Sequence, residues 1–177
     1  VKGVEEQTRK LMEVCRMRDT PIVTFMNKFD RDSMDPFDLI DNVESILSIQ
    51  CVPMTWPIGD GVKFKGVYDF RTKSIFRFED KKDPESLTQI DASDLRSPEV
   101  LEYVDEEVID KLEEDLMRGE ELMPEFDRGE FLSGIITPVF FGTALHNFGV
   151  KETLDMIANE SPGPLPREVR HPPYDET

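Results

Sequence analysis

The sequence is poor in the residues that build disulfide and metal sites. It has two cysteines, Cys15 and Cys51, and two histidines, His146 and His171. The cysteines form no CxxC pair, which excludes a disulfide framework and leads us to expect a reduced, cytoplasmic chain. No His, Cys and carboxylate spacing matches a zinc site, and Asp30, Asp32, Asp35, Asp38 and Asp41 lack the calcium-loop pattern. Positive charge is scarce too, with 21 Lys and Arg against 38 Asp and Glu and a formal net charge of −17. That balance argues against broad contact with nucleic acid or an anionic membrane, while leaving room for a small anion site built from backbone amides. No apolar run approaches a membrane span, no basic leader opens the chain, and no internal repeat is present.

What is present suffices for one domain with a smaller appendage: 177 residues, 38% hydrophobic and 33% charged. Val4 to Arg18 is predicted as an amphipathic helix with Val4, Leu11, Met12 and Cys15 on one side, stopped by Thr20-Pro21. Ile22 to Met26 is short, β-rich and apolar, as in a parallel-sheet strand covered on both faces. Asp35-Pro36 caps and opens a second helix whose core face is Leu39, Ile40, Val43, Ile46 and Leu47. Val52 to Ile58 reads as extended and Gly59-Asp60-Gly61 as a turn. Lys65 to Phe70 and Lys73 to Phe78 read as two strands around Arg71-Thr72. Residues 79–97 are polar, with a short strand placed at Ser86 to Ile90. Pro98 opens a long acidic helix to about Met117, striped by Val100, Leu101, Val104, Val108, Leu112 and Leu116, and Glu120 to Leu132 forms a further short one. Thr137 to Phe141 is a buried strand, and Gly149-Val150 introduces a last helix anchored by Leu154, Ile157 and Ala158. The expected class is therefore α/β. Residues 1–58 and 135–160 form a core with a parallel sheet, 59–134 an inserted α+β subdomain, and 161–177 a proline-rich linker.

The chemistry concentrates in two loops, each following an apolar strand. Asn27-Lys28-Phe29-Asp30 is an NKxD motif, placed where open α/β sheets bind ligands. An aspartate there accepts two hydrogen bonds from guanine N1–H and the 2-amino group, a pair that adenine does not offer. The asparagine suits the N7 and O6 side of the base and braces neighbouring loops. The lysine stem lies along the base plane, and Phe29 packs inward. Gly142-Thr143-Ala144-Leu145 has the form of a loop that presents a backbone amide, that of Ala144, to guanine O6. Each loop alone also reads as an ordinary turn closed on its own backbone; both together, in this order, favour guanine. His146 reads as a surface or packing residue, and the acidic helix as a solvated face or, second, as a docking surface for a basic partner.

The phosphate end of such a site is missing from these residues. There is no GxxxxGK[ST] loop, no Asp-x-x-Gly before a switch helix, and no assignable switch threonine. With Val1 where Met would stand, the expectation is a piece of a longer protein, without catalytic residues of its own. We further expect the strands at Ile22–Met26 and Thr137–Phe141 to lie side by side and parallel, with an uncovered apolar edge that leads either to self-association or to local disorder near it.

These residues resemble the translational GTPases, and within them the bacterial peptide chain release factor three family. The stretch from Lys2 to Cys15 looks like the switch-region helix of its G domain, continuing through Arg18 and Pro21 to Thr24-Phe25-Met26-Asn27-Lys28. Pro53-Met54-Thr55-Trp56-Pro57-Ile58-Gly59, Phe64 to Tyr68, Ile136 to Leu145 and Asn147-Phe148-Gly149-Val150 carry the rest of the likeness. The Thr55-Trp56-Pro57 and Gly142-Thr143-Ala144 wording separates this family from the translocation elongation factor and the tetracycline-resistance proteins. The resemblance implies the central and carboxyl-terminal part of a P-loop NTPase-type G domain. Asn27, Lys28 and Asp30 would read guanine, and Thr143, Ala144 and Leu145 would form the last guanine loop. The whole protein would bind GDP and GTP with magnesium, hydrolyse GTP on the ribosome and recycle codon-reading release factors, its insertion touching ribosomal stalk protein. Two readings compete. One is an interaction module that binds stalk protein through its acidic insertion and binds no nucleotide. The other is a stand-alone G domain that has lost its phosphate loop.

Overall fold

The computed structural model describes residues 4–18, 20–77 and 89–163. In chain order these form α1 (Glu6–Arg16), β1 (Thr24–Met26), α2 (Pro36–Leu47), β2 (Gln50–Pro53), β3 (Thr55–Ile58), β4 (Gly66–Asp69), β5 (Ser74–Arg77) and β6 (Gln89–Asp91). There follow α3 (Pro98–Tyr103), α4 (Glu106–Leu122), α5 (Arg128–Leu132), β7 (Ile136–Phe141) and α6 (Val150–Glu160).

The strands make two sheets. The first is parallel, in the order β1-β7-β2, with Thr24 opposite Val139 and Cys51 opposite Thr137. All six residues of β7 are buried, as a central strand requires. Its Thr137 hydroxyl is satisfied in the interior, donating to Ile22 O at 2.8 Å and lying 2.9 Å from the Thr24 hydroxyl. The expected pairing of the two apolar strands is therefore present, but β1 is shorter than Ile22–Met26 and only Met26 is buried in it. It has no second strand neighbour among the described residues, so it is covered less than its apolar composition suggested. The second sheet is antiparallel, in the order β3-β4-β5-β6. The extended run from Val52 to Ile58 is split between the sheets: Met54 N still bonds Val139 O, while Thr55 already pairs with Asp69.

Helix α1 docks on α2 through charge at a helix end. The Arg16 guanidinium donates to Leu47 O and to Ser48 O, the carbonyl end of α2. Asp35 caps α2 as its sequence position suggests, its Oδ1 accepting from Phe37 N at 2.9 Å. Within α1, Met12 is buried but Leu11 is 56% exposed, so the apolar face is narrower than predicted.

Three helix expectations are corrected. The single helix from Pro98 is two helices, because Val104 is extended (φ −118°, ψ 132°) and buried at 1% exposure. A β-branched residue followed by a cap-favouring aspartate is a natural break. In α4, Leu112 and Leu116 are buried as expected, while Ile109 is fully buried and Val108 only half-buried. Next, Glu120 to Leu132 is not one helix: α4 runs on to Leu122, and α5 starts only after Asp127, whose Oδ1 accepts from Glu130 N. Last, α6 buries Glu152 and Met156, leaving Leu154 and Ile157 57% and 43% exposed and Ala158 exposed. The strand placed at Ser86 to Ile90 is found as β6, from Gln89; residues 86–88, Phe78 and the linker beyond Gly163 lie outside the described residues.

Glu152 gives a pH prediction. It is 8% exposed and its Oε2 has no hydrogen-bond partner among the described residues. Burial pushes its carboxyl above the ordinary range; Asp155 and Asp69 push the same way, against a backbone hydrogen bond and Lys151. A raised carboxyl favours the fold while neutral, so its contribution is full below its ordinary value of 4.5 and is lost as pH rises through the raised one. Glu152→Gln is expected to match the parent near pH 4 and to exceed it by about 1 kcal/mol at pH 7. Urea titrations at the two pH values check this, and a variant less stable at both would contradict it.

Candidate functional site

Both motif loops leave the carboxyl end of the parallel sheet, and the backbone binds them to each other. Phe29 N donates to Gly142 O at 3.2 Å and Gly142 N to Met26 O at 3.1 Å, extending the β1–β7 pairing past the strand ends. Gly142 has to be glycine, since a Cβ there would overlap Phe148 O and crowd the Phe25 ring. Phe29 is fully buried and packs edge-on against Phe141 at 5.3 Å, so the motif's third residue anchors the loop inward as its alternation implied.

The side chains join the loops at two further points. Asn27 Oδ1 accepts from Lys28 N at 2.8 Å and, across the two loops, from Ala144 N at 2.9 Å. This is the bracing role expected of the asparagine. It also means that the Ala144 amide, expected to face a base O6, is donated to Asn27. Asp30 lies beside the second loop, its Oδ2 3.9 Å from His146 Nε2 and 3.9 Å from Arg31 Nε, with a side-chain exposure of 16%. The sequence marks His146 only as a surface or packing residue. Its place in the site follows from the second loop folding back through Phe148 N to Thr143 O and Thr143 N to Phe148 O.

The remaining motif residues divide. Thr143 is buried and its Oγ1 has no hydrogen-bond partner among the described residues. Lys28 is exposed, with a left-handed backbone at φ 76°. Leu145 is 75% exposed and is not drawn into the core. Asn27, Asp30 and Ala144 thus come together with His146, while Lys28 and Leu145 line the outside. A carboxylate, a side-chain amide and a backbone amide at one rim are the groups that a purine edge with both donors and acceptors needs.

Burial pushes the Cys51 thiol up to about 12, with Glu44 adding to the effect, so it is a packing residue. Among the described residues no group of three or more His, Cys, Asp or Glu side chains is placed to hold a metal ion, and no helix is long and apolar enough to cross a membrane.

Comparison with known proteins bears on the family and the fold. The family model described as the elongation factor Tu GTP binding domain matches residues 1–163. The crystal structure of a protein from Thermus thermophilus shares the fold with a TM-score of 0.60 at 21% identity, over 90% of this chain. The chain spans only 25% of that protein's length.

Proposed function

The chain belongs to the elongation factor Tu GTP-binding domain family, and on that premise we propose that its two loops read the guanine base of GTP or GDP. In this reading Asp30 accepts from N1–H and the 2-amino group, and Asn27, which braces the loops before the base arrives, then meets the N7 side as the Ala144 amide passes from Asn27 Oδ1 to O6. Thr143 and Leu145 frame the second loop, and Lys28 covers the base plane. The observation that carries the proposal is the Asn27–Ala144 hydrogen bond, which holds the two motif loops at one rim. The nucleotide's phosphates and magnesium ion supply the reacting centre in such proteins, and no group among these 177 residues is assigned to them.

At the level of the whole protein, we place the chain in a cytoplasmic translational GTPase that recycles codon-reading release factors on the ribosome. The Thr55-Trp56-Pro57 and Gly142-Thr143-Ala144 wording supports that narrower placement. A second reading, docking to ribosomal stalk protein through the insertion, is favoured by the exposed acidic residues of α4, among them Glu106, Glu107 and Asp110.

The base-reading proposal is tested by amide NMR titration of the chain with guanosine, inosine and adenosine. Guanosine should shift the Ala144 amide and the Asn27 side-chain amide, and inosine, lacking the 2-amino group, should do so more weakly. Equal shifts with adenosine, or shifts confined to other residues, would end the proposal.

A further inference from the structure

The two motif loops leave the parallel sheet, yet the antiparallel sheet reaches them. The connection between β3 and β4, residues 59–65, folds back onto the first loop, where Gly61 N donates to Phe29 O at 3.0 Å. The connection is closed on itself by Lys65 N to Ile58 O at 2.8 Å and Lys63 N to Asp60 O at 2.9 Å. Val62 at its tip is fully exposed, while Phe64, two residues on, is 5% exposed. A largely solvent-facing turn thus delivers one aromatic ring inward.

That ring lies between the loops. It is 6.2 Å from the Phe29 ring, tilted at 45°, and 5.8 Å from the Phe148 ring, edge-on at 82°. Both separations are inside the range of about 4.5–7 Å at which aromatic rings attract. Phe29 is the residue before Asp30. Phe148 closes the second loop on Thr143, whose neighbour Ala144 carries the amide that meets Asn27 Oδ1. Phe64 therefore touches a residue of each loop close to a base-reading group, and it belongs to neither loop. Phe29 and Phe148 are themselves buried, so a smaller side chain at position 64 leaves a void among packed rings. Movement of one loop toward the other relieves such a void, and hydrogen bonds weaken steeply when misaligned.

We propose that Phe64 is a positioning residue for base recognition: through its ring, the β3–β4 connection sets the spacing between Asp30 and the Ala144 amide. This inference rests on the base reading given above. Amide NMR titration with guanosine tests it on the parent chain and on two matched pairs of variants, Phe64→Leu with Ile75→Val and Phe64→Ala with Ile75→Ala. Ile75 is 0% exposed in the same antiparallel sheet, and its strand neighbours, Tyr68 and Ile90, lie in neither motif loop. Affinity is read from folded-state signals, so lost stability alone leaves it unchanged. Phe64→Ala should weaken guanosine binding about tenfold and Phe64→Leu about threefold, with both Ile75 variants at the parent value. In the free chain, the Ala144 amide should exchange with solvent deuterium faster in each Phe64 variant than in its Ile75 match. Phe64→Leu keeps an apolar side chain and carries the test if the alanine variant does not fold. Parental affinity in a folded Phe64 variant overturns the proposal, and so does an equal loss in the matched Ile75 variant. A parent chain that shows no guanosine shifts fails the base reading itself, and this inference falls with it.

Discussion

Phe141→Ala is expected to cost about 3–5 kcal/mol, the range for removing a fully buried aromatic ring. Typical domain stability is about 5–15 kcal/mol, so the loss would be a large share of the total. The ring is 0% exposed, meeting Phe29 at 5.3 Å and Trp56 at 5.5 Å, both edge-on. It lies where the two sheets meet, since its amide donates to Thr55 Oγ1 of β3 at 3.1 Å while β7 pairs with β1 and β2. The truncation therefore loosens the joint between sheets and the anchor of Phe29 in the first motif loop together. Urea unfolding followed by Trp56 fluorescence gives the value, read from the midpoint at unchanged slope. Leu154→Ala is the control: its sequence pattern marks it as an anchor, but at 57% exposure it should change stability by about 0.5 kcal/mol or less. Similar losses for the two variants would mean that Phe141 is not the joint described.

The contrast between Phe141 and Leu154 shows what the sequence reveals and what it hides. Short runs covered on every side declare themselves by composition alone, and β7 and the core face of α2 are legible for that reason. A capping pair such as Asp35-Pro36 is local chemistry and is equally readable. Helix phase is not local. Leu154, Ile157 and Ala158 share helical spacing, yet α6 turns Glu152 and Met156 inward. A left-handed Gly149, φ 77°, packed against the end of β7, sets where that helix begins. The break at Val104 was hidden because an apolar residue on the expected stripe looks the same whether it is helical or extended. At the candidate site the motif residues were legible as types and spacings. The Asn27–Ala144 bond and the approach of His146 to Asp30 were not, because each depends on two loops separated by more than a hundred residues of chain.

That cross-loop bond decides which side chain dominates base selection, and it leads to the last prediction. Because Ala144 N already donates to Asn27 Oδ1, giving it to guanine O6 exchanges one hydrogen bond for another of similar kind. The net gain from such an exchange is small. Asp30 differs: among the described residues the basic side chains nearest its carboxylate, Arg31 and His146, lie at 3.9 Å, and these do not satisfy it as close hydrogen bonds would. Two donors from guanine add charge-assisted hydrogen bonds worth about 1.5–3 kcal/mol each when made to an ionised group. Discrimination should therefore rest on Asp30 and hardly on Ala144. Asp30→Asn is expected to lower the ratio of guanosine to xanthosine affinity about 100-fold, near 3 kcal/mol. The asparagine amide offers a donor to the xanthine C2 oxygen and keeps only one acceptor. Matched titrations of the two nucleosides, or their diphosphates, against parent and variant give that ratio, with circular dichroism confirming that the variant is folded. An unchanged ratio in a folded variant would remove Asp30 from the base-reading role and leave the Asn27–Ala144 pair as a structural brace alone.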